Sequence, residues 1–210
     1  MEEKSKEEKS IEAQEQELLQ IVERIPSHEK ILLREGVKKL AQIARKAAQE
    51  AAVDQLTGLA SRRVFIDALE RAHREARRDG TPVTVAMIDL DGFKAVNDKH
   101  GHITGDAVLR LAAERISRII RGDALAARYG GDEFVLLLHV SPEQAGKICE
   151  RICTALASPM KIGEKEITIG ASIGLAPVLV NYKIEEILSM ADKAMYEDKK
   201  RRNGGETSRS

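Results

Sequence analysis

Aromatic side chains are scarce: the chain of 210 residues has no Trp, three Tyr and three Phe. Single-stranded nucleic acid is held largely by stacking bases on such rings, so an aromatic platform of that kind is excluded. An excess of either charge is missing too. Lys plus Arg numbers 34 and Asp plus Glu 34, a formal charge of zero, which argues against a generally basic nucleic-acid binder. Apolar runs such as Val135–Leu138 fall far short of the roughly 18 residues a membrane helix needs. Residues 1–17 are dense in Glu and Lys, which excludes the apolar stretch of a secretory signal. The two cysteines, Cys149 and Cys153, lie one helix turn apart, a poor disulfide spacing, and two thiols alone make no zinc site. They read as small buried residues. The expectation is a cytoplasmic chain.

What is there suffices for a packed core: 42% apolar residues and 15 Gly exclude wholesale disorder. Composition changes near Asp54. Before it, Leu18, Val22 and Ile25 suggest a helix that stops at Pro26, and Ser27 stands where an N-cap belongs, with Glu29 in the first turn of a second helix. In that second helix Leu33, Val37, Leu40, Ala44, Ala47 and Ala51 follow heptad spacing. It is either an amphipathic helix lying on its own domain or the seam of a parallel dimer stalk.

After Asp54 the pattern is mixed. Helices are expected over residues 62–78, 105–121, about 142–157 and about 184–201, with a short one over 93–98. Strands are expected over 83–90, 124–129, 133–140 and within 165–178. Gly130-Gly131 separates the middle two as a hairpin turn whose positions accommodate positive φ. The fold class expected is α/β, a mixed central sheet surrounded by helices, preceded by a helical extension. The divisions are 1–53 for the extension, 54–203 for the domain and 204–210 for a flexible tail.

Two acidic places lie at strand ends or turns. In Asp89-Leu90-Asp91-Gly92-Phe93-Lys94 the two aspartates share one strand face. The helix that follows offers free N–H groups to a phosphate, and Lys94 adds a cation. Asp132-Glu133 follow the double glycine. Carboxylates on neighbouring strands beside a phosphate-binding helix end describe a Mg²⁺-dependent phosphoryl-transfer site. Each place alone also reads as a solvated turn or a helix cap.

The combination resembles a known family. Tyr129-Gly130-Gly131-Asp132-Glu133-Phe134 is similar to the signature of the diguanylate cyclases, known by the letters GGDEF. Asp54-Gln55-Leu56-Thr57-Gly58-Leu59 with Arg62-Arg63 resembles that family's opening motif, with Ser61 where Asn is usual. Asp89 to Lys94, Asn97-Asp98, Gly101-His102 and Gly105-Asp106 match its next block, and Ala191-Asp192, Ala194-Met195-Tyr196 and Lys199 its closing helix. The resemblance implies a palm-like nucleotidyl cyclase fold that joins two GTP into cyclic di-GMP and releases two pyrophosphates. One GTP would lie on each subunit of a homodimer formed through the extension or around substrate. Asp89, the Leu90 carbonyl, Asp132 and Glu133 would hold Mg²⁺, with Mn²⁺ as the alternative ion, and Asp132 and Glu133 would be the catalytic acids. Phe93, Lys94, Lys199 and Arg202 would contact phosphates, Gly130 and Gly131 would lie beneath the nucleotide, and Asn97 and Asp106 would read guanine. Helix capping is the other reading of that last pair. Arg202 departs from the pattern, because Lys199-Lys200-Arg201-Arg202-Asn203 runs one residue short. The product-inhibition motif is also altered, with Arg121 in place but Ala124 where Asp is usual. The alternative function is a catalytically silent GTP or cyclic di-GMP binding module that signals through its extension.

Overall fold

The computed structural model describes residues 6–23, 27–50 and 52–206, and the chain divides into two compact units, 1–53 and 54–210. The first holds α1 (Lys6–Val22) and α2 (Ser27–Glu50). The expected stop at Pro26 and the seam residue Ala51 lie outside the described residues. The two helices pack on each other and bury Val22 and Ala41, while Arg34 reaches Glu23 at 3.4 Å. Ile11 and Leu18 of α1 line one groove with Val37, Leu40, Ala41 and Ala44 of α2. Three of the expected seam positions of α2 thus line a groove with α1. A helix tethered by a short connection is the nearest available cover for a face of small residues.

The second unit carries a mixed five-stranded sheet in the order β1-β3-β4-β2-β7. Its strands are β1 (Ala60–Ser61), β2 (Thr84–Asp91), β3 (Leu125–Gly130), β4 (Glu133–Leu138) and β7 (Gly170–Pro177). β1 runs parallel to β3, and every other pairing is antiparallel. Residues along β2 alternate between two apolar layers, as strand geometry dictates. Ala86, Ile88 and Leu90 join α5 (His102–Ile119) and α6 (Pro142–Leu156) on one side. Val85 and Met87 join α3 (Arg62–Asp79) and α7 (Ile184–Glu206) on the other. The short α4 (Phe93–His100) follows β2 and packs against α5.

Several boundaries differ from the expectation. α5 begins at His102, a turn before Gly105, with Gly101 at φ +84° as its cap. The run 165–178 is two strands, β6 (Lys165–Ile167) and β7, and a further strand β5 (Met160–Ile162) pairs with β6 as a separate hairpin. The last helix continues to Glu206, three residues into the segment expected as tail; residues 207–210 lie outside the described residues. Both cysteines are free thiols, Cys149 buried with its pKa pushed by burial up to about 12.

Candidate active site

Asp89 on β2 stands directly opposite Glu133 on β4, and cross-strand partners share a face. That face is the one covered by α7, because the alternation that buries Ile88 and Leu90 turns Asp89 the other way. The Leu90 N–H donates to the Asp132 carbonyl at 3.3 Å. Strand register alone therefore gathers Asp89, the Leu90 backbone, Asp132 and Glu133 at one end of the sheet. Burial raises the pKa of both Asp132 and Glu133; the charge of Asp89 raises both further, and Asp132 and Asp192 add to the shift of Glu133. Lys199 of α7 answers this negative charge by donating to Asp89 at 2.5 Å, and that hydrogen bond holds the ammonium pKa above its ordinary value.

Gly174 explains how α7 reaches the acids. A Cβ there would lie 2.1 Å from the Ala191 carbonyl and from the Met195 N. The helix backbone thus rests on β7 itself, closer than any side chain allows. Glu133 and Asp192 line a cavity of about 290 Å³ together with Met87, Tyr129, Leu188 and Ser189.

The turn between β3 and β4 consists of Gly131 and Asp132, with Gly130 still paired to Glu133 across the strands. Only Gly131 has positive φ, at +47°; Gly130 does not, which corrects the expectation for the two turn positions. The turn is braced from the side. Arg128 donates from Nε and Nη2 to the Gly131 carbonyl at 3.0 and 2.8 Å, and from Nη1 to both carboxylate oxygens of Asp54 at 3.3 Å. Asp54 accepts in turn from the Thr57 N–H at 2.9 Å and the Thr57 hydroxyl at 2.6 Å. Burial alone would raise the Asp54 pKa, but the Thr57 hydrogen bonds and the Arg128 charge together hold it below its ordinary value.

On the other layer, α4 starts at Gly92 with φ +76° and no side-chain cap, which leaves the first N–H groups of the helix open to an anion. Phe93 is buried and Lys94 exposed. A Cβ on Gly105 would lie 1.9 Å from Asn97 Oδ1 and 3.2 Å from the Phe93 ring. Gly105 therefore lets Asn97 of α4 lie flat against α5, in which the residue after Gly105, Asp106, is half-buried. Capping is overturned for both residues. Asn97 is inside α4, and Asp106 is the fifth residue of α5, which has no acidic residue in its first turn.

The donor set suits one class of ion. Asp89, Asp132 and Glu133 feel one another's charge, yet among the described residues no three acids, histidines or cysteines converge into a ready metal cage. Few carboxylates, a strand carbonyl and room for other oxygens fit Mg²⁺ that arrives with phosphate, since this ion keeps water and takes substrate oxygens. A closed all-protein site would not.

The profile of the family described as diguanylate cyclase, GGDEF domain, matches residues 51–204. The chain belongs to the GGDEF family. Among curated relatives it is 42% identical over 168 residues to the bifunctional diguanylate cyclase/cyclic di-GMP phosphodiesterase MucR of Pseudomonas aeruginosa, covering 79% of this chain and 24% of that protein. It is 34% identical over 155 residues to the diguanylate cyclase DgcS of Shewanella oneidensis, covering 74% and 52%. The chain thus spans between about a quarter and half of the length of these relatives. Among solved structures, the coiled coil and GGDEF domain of DgcB from Caulobacter crescentus, in complex with c-di-GMP, matches at TM-score 0.72 and 32% identity, covering 81% of this chain and 91% of that one. The diguanylate cyclase SiaD of Pseudomonas aeruginosa, in complex with its activator SiaC, matches at TM-score 0.70 and 30% identity, covering 91% and 76%.

Not every expected residue joins the GGDEF acids. Arg202 turns instead to Asp198, at 2.9 Å, and to the Cys153 sulfur. Asp91 accepts from the Ser172 hydroxyl at 2.7 Å. Arg121 is exposed beyond the end of α5, and Ala124 lies just before β3. Sequence reasoning missed Arg128, Gly174 and Asp198. The one available signal was that Arg128, two residues before the double glycine, is a cation on a strand that is otherwise apolar or aromatic.

Proposed function

We propose that the chain is a diguanylate cyclase that condenses two GTP into cyclic di-GMP in the cytoplasm, each subunit of a dimer holding one GTP. The observation that carries this reading is the register of β2 against β4, which sets Asp89 opposite Glu133 beside the Asp132 turn. Three further features support it. The open N-terminus of α4, with Phe93 and Lys94 in its first turn, suits a triphosphate. Asp106 and Asn97 have no capping duty, and a carboxylate accepts from the guanine N1–H and amino group, an edge adenine lacks. Gly130 lacks positive φ and, among the described residues, has no close neighbour, its nearest contact for a Cβ being Glu133 at 4.0 Å. A nucleotide lying over the hairpin would give that glycine its reason.

Asp89, the Leu90 carbonyl, Asp132 and Glu133 are the residues that would hold Mg²⁺, or Mn²⁺ in its place. When bound, the ion neutralises charge on the triphosphate and polarises the reacting phosphoryl group. Asn97 and Asp106 orient the base, while Lys94 and Lys199 hold phosphate oxygens. Asp132, whose proton affinity burial has raised, takes the proton of the 3′-hydroxyl. The new bond joins that 3′-oxygen to the partner nucleotide's α-phosphorus, the bond from α-phosphorus to the bridging oxygen breaks, and pyrophosphate leaves. A second, identical attack closes the ring. One domain holds only one of the two nucleotides, so two copies must meet, and the α1–α2 extension is the element that would govern how often.

Incubation with GTP and Mg²⁺ tests the reading: cyclic di-GMP is expected, and GTP binding without product would leave only the silent module. With Ala124 in place of an acid, product inhibition through Arg121 is expected to be weak or absent. Sub-micromolar inhibition abolished by Arg121→Ala would contradict that expectation.

A further inference from the structure

The two α7 cations expected at phosphates, Lys199 and Arg202, are neutralised in different ways. Lys199 pairs with Asp89, itself a candidate ligand of the incoming ion, so this partner is drawn away when metal and triphosphate arrive. Arg202 pairs with Asp198, which stands outside the Asp89–Asp132–Glu133 group. Asp198 is also held from a second side. Its Oδ2 accepts both the Arg202 Nε–H at 2.9 Å and the Ile173 backbone N–H of β7 at 3.1 Å. Its Oδ1 accepts from Arg201 at 3.5 Å, and only 17% of its side chain is exposed. The other end of the guanidinium donates to the Cys153 sulfur at 3.8 Å.

We propose that Asp198 is a positioning residue that latches Arg202 onto β7 and withholds its charge from the triphosphate. The proposal rests on the GTP reading above. Arg202 carries donors of fixed fork geometry that suit phosphate, and it lies within the influence of Asp91, just before the α4 phosphate turn. A guanidinium already matched by a carboxylate anchored through β7 has little net charge to offer. Nucleotide is then gripped from α7 by Lys199 alone, and anything that loosens Asp198 from β7 adds a second grip.

The test is a double-mutant cycle on the full chain. Asp198→Asn keeps an amide oxygen for the Ile173 N–H and removes the charge that holds Arg202. Partly exposed ion pairs of this kind set the scale, so Asp198→Asn is expected to lower the KM for GTP about threefold with kcat within about twofold. Arg202→Ala alone should leave KM within about twofold, and the double variant should return to the unaltered value. A tenfold rise in KM for Arg202→Ala alone, no change for Asp198→Asn, or a gain that survives in the double variant would each overturn the latch. If Asp198→Asn does not fold, Arg202→Ala alone still decides: a KM within about twofold keeps the latch, and a tenfold rise overturns it. Calorimetric dissociation constants for Mg·GTP give the same comparison without turnover. A chain that binds GTP and makes no product would therefore refute the cyclase reading while the latch stands or falls on its own numbers.

Discussion

The helical extension and the GGDEF unit announce themselves in different ways. In α1 and α2 the sequence carries only periodicity, which says that one face is apolar and leaves open what covers it. α1 covers part of it, over Val37, Ala41 and Ala44, while Ile31, Leu40 and Ile43 stay exposed. In the GGDEF unit three motif residues each answer to one physical demand: Gly131 to a turn, Gly105 to Asn97, Asp89 to Glu133 across a strand pair. Periodicity is satisfied by any partner of the right shape, whereas such point constraints are satisfied in one geometry.

The largest effect that sharpens this contrast is at Glu133. Glu133→Gln is expected to cut turnover by about 100-fold or more while leaving the fold intact. Its pKa is raised by burial and by three neighbouring carboxylates, so the charged form costs stability. In metal-free buffer the Gln variant should melt higher at neutral pH. That advantage should disappear as pH falls through the raised folded pKa to the unfolded carboxylate value, where Glu is neutral in both states. A lower melting temperature at neutral pH would contradict the crowding of acids described for this site.

Next comes Gly174→Ala, in which a new Cβ meets α7 backbone at 2.1 Å. Backbone cannot rotate aside as a side chain can, so a loss of about 1–3 kcal/mol or more is expected in chemical unfolding, together with lower activity as Lys199 moves from Asp89. Arg128→Ala should come third. It removes the brace between Asp54 and the Gly131 carbonyl and should reduce kcat about tenfold, with KM changing less; an unchanged kcat would strip Arg128 of its positioning role. The smallest effect belongs to the extension. Ala41→Glu places a charge between α1 and α2 and should lower the rate at dilute protein but hardly at concentrated protein. Equal loss at every concentration would break the comparison drawn above.

Much of the GGDEF unit is legible in the sequence. The hairpin, the acid-bearing end of β2 and the closing helix follow from alternation, turn residues and motif order. Other features were hidden because their causes are tertiary. Gly105 reads as a helix start when taken alone; it is a helix-interior glycine because Asn97 fills the space its Cβ would need. The α5 start at His102 has no polar N-cap to advertise it, Gly101 serving instead. Strand β5 is three residues long and has meaning only beside β6. The brace from Asp54 to Arg128 spans 74 positions, and the Asp198 contact with β7 depends on how closely α7 lies on Gly174. No local pattern encodes either.

The most direct measurement of the central claim is product and pyrophosphate release from GTP with Mg²⁺, followed across a wide range of protein concentration. The account predicts two pyrophosphates for each cyclic di-GMP, at a rate per chain that rises with concentration until two half-sites meet readily. Nucleotide bound at the hairpin and recovered unchanged at every concentration would contradict it.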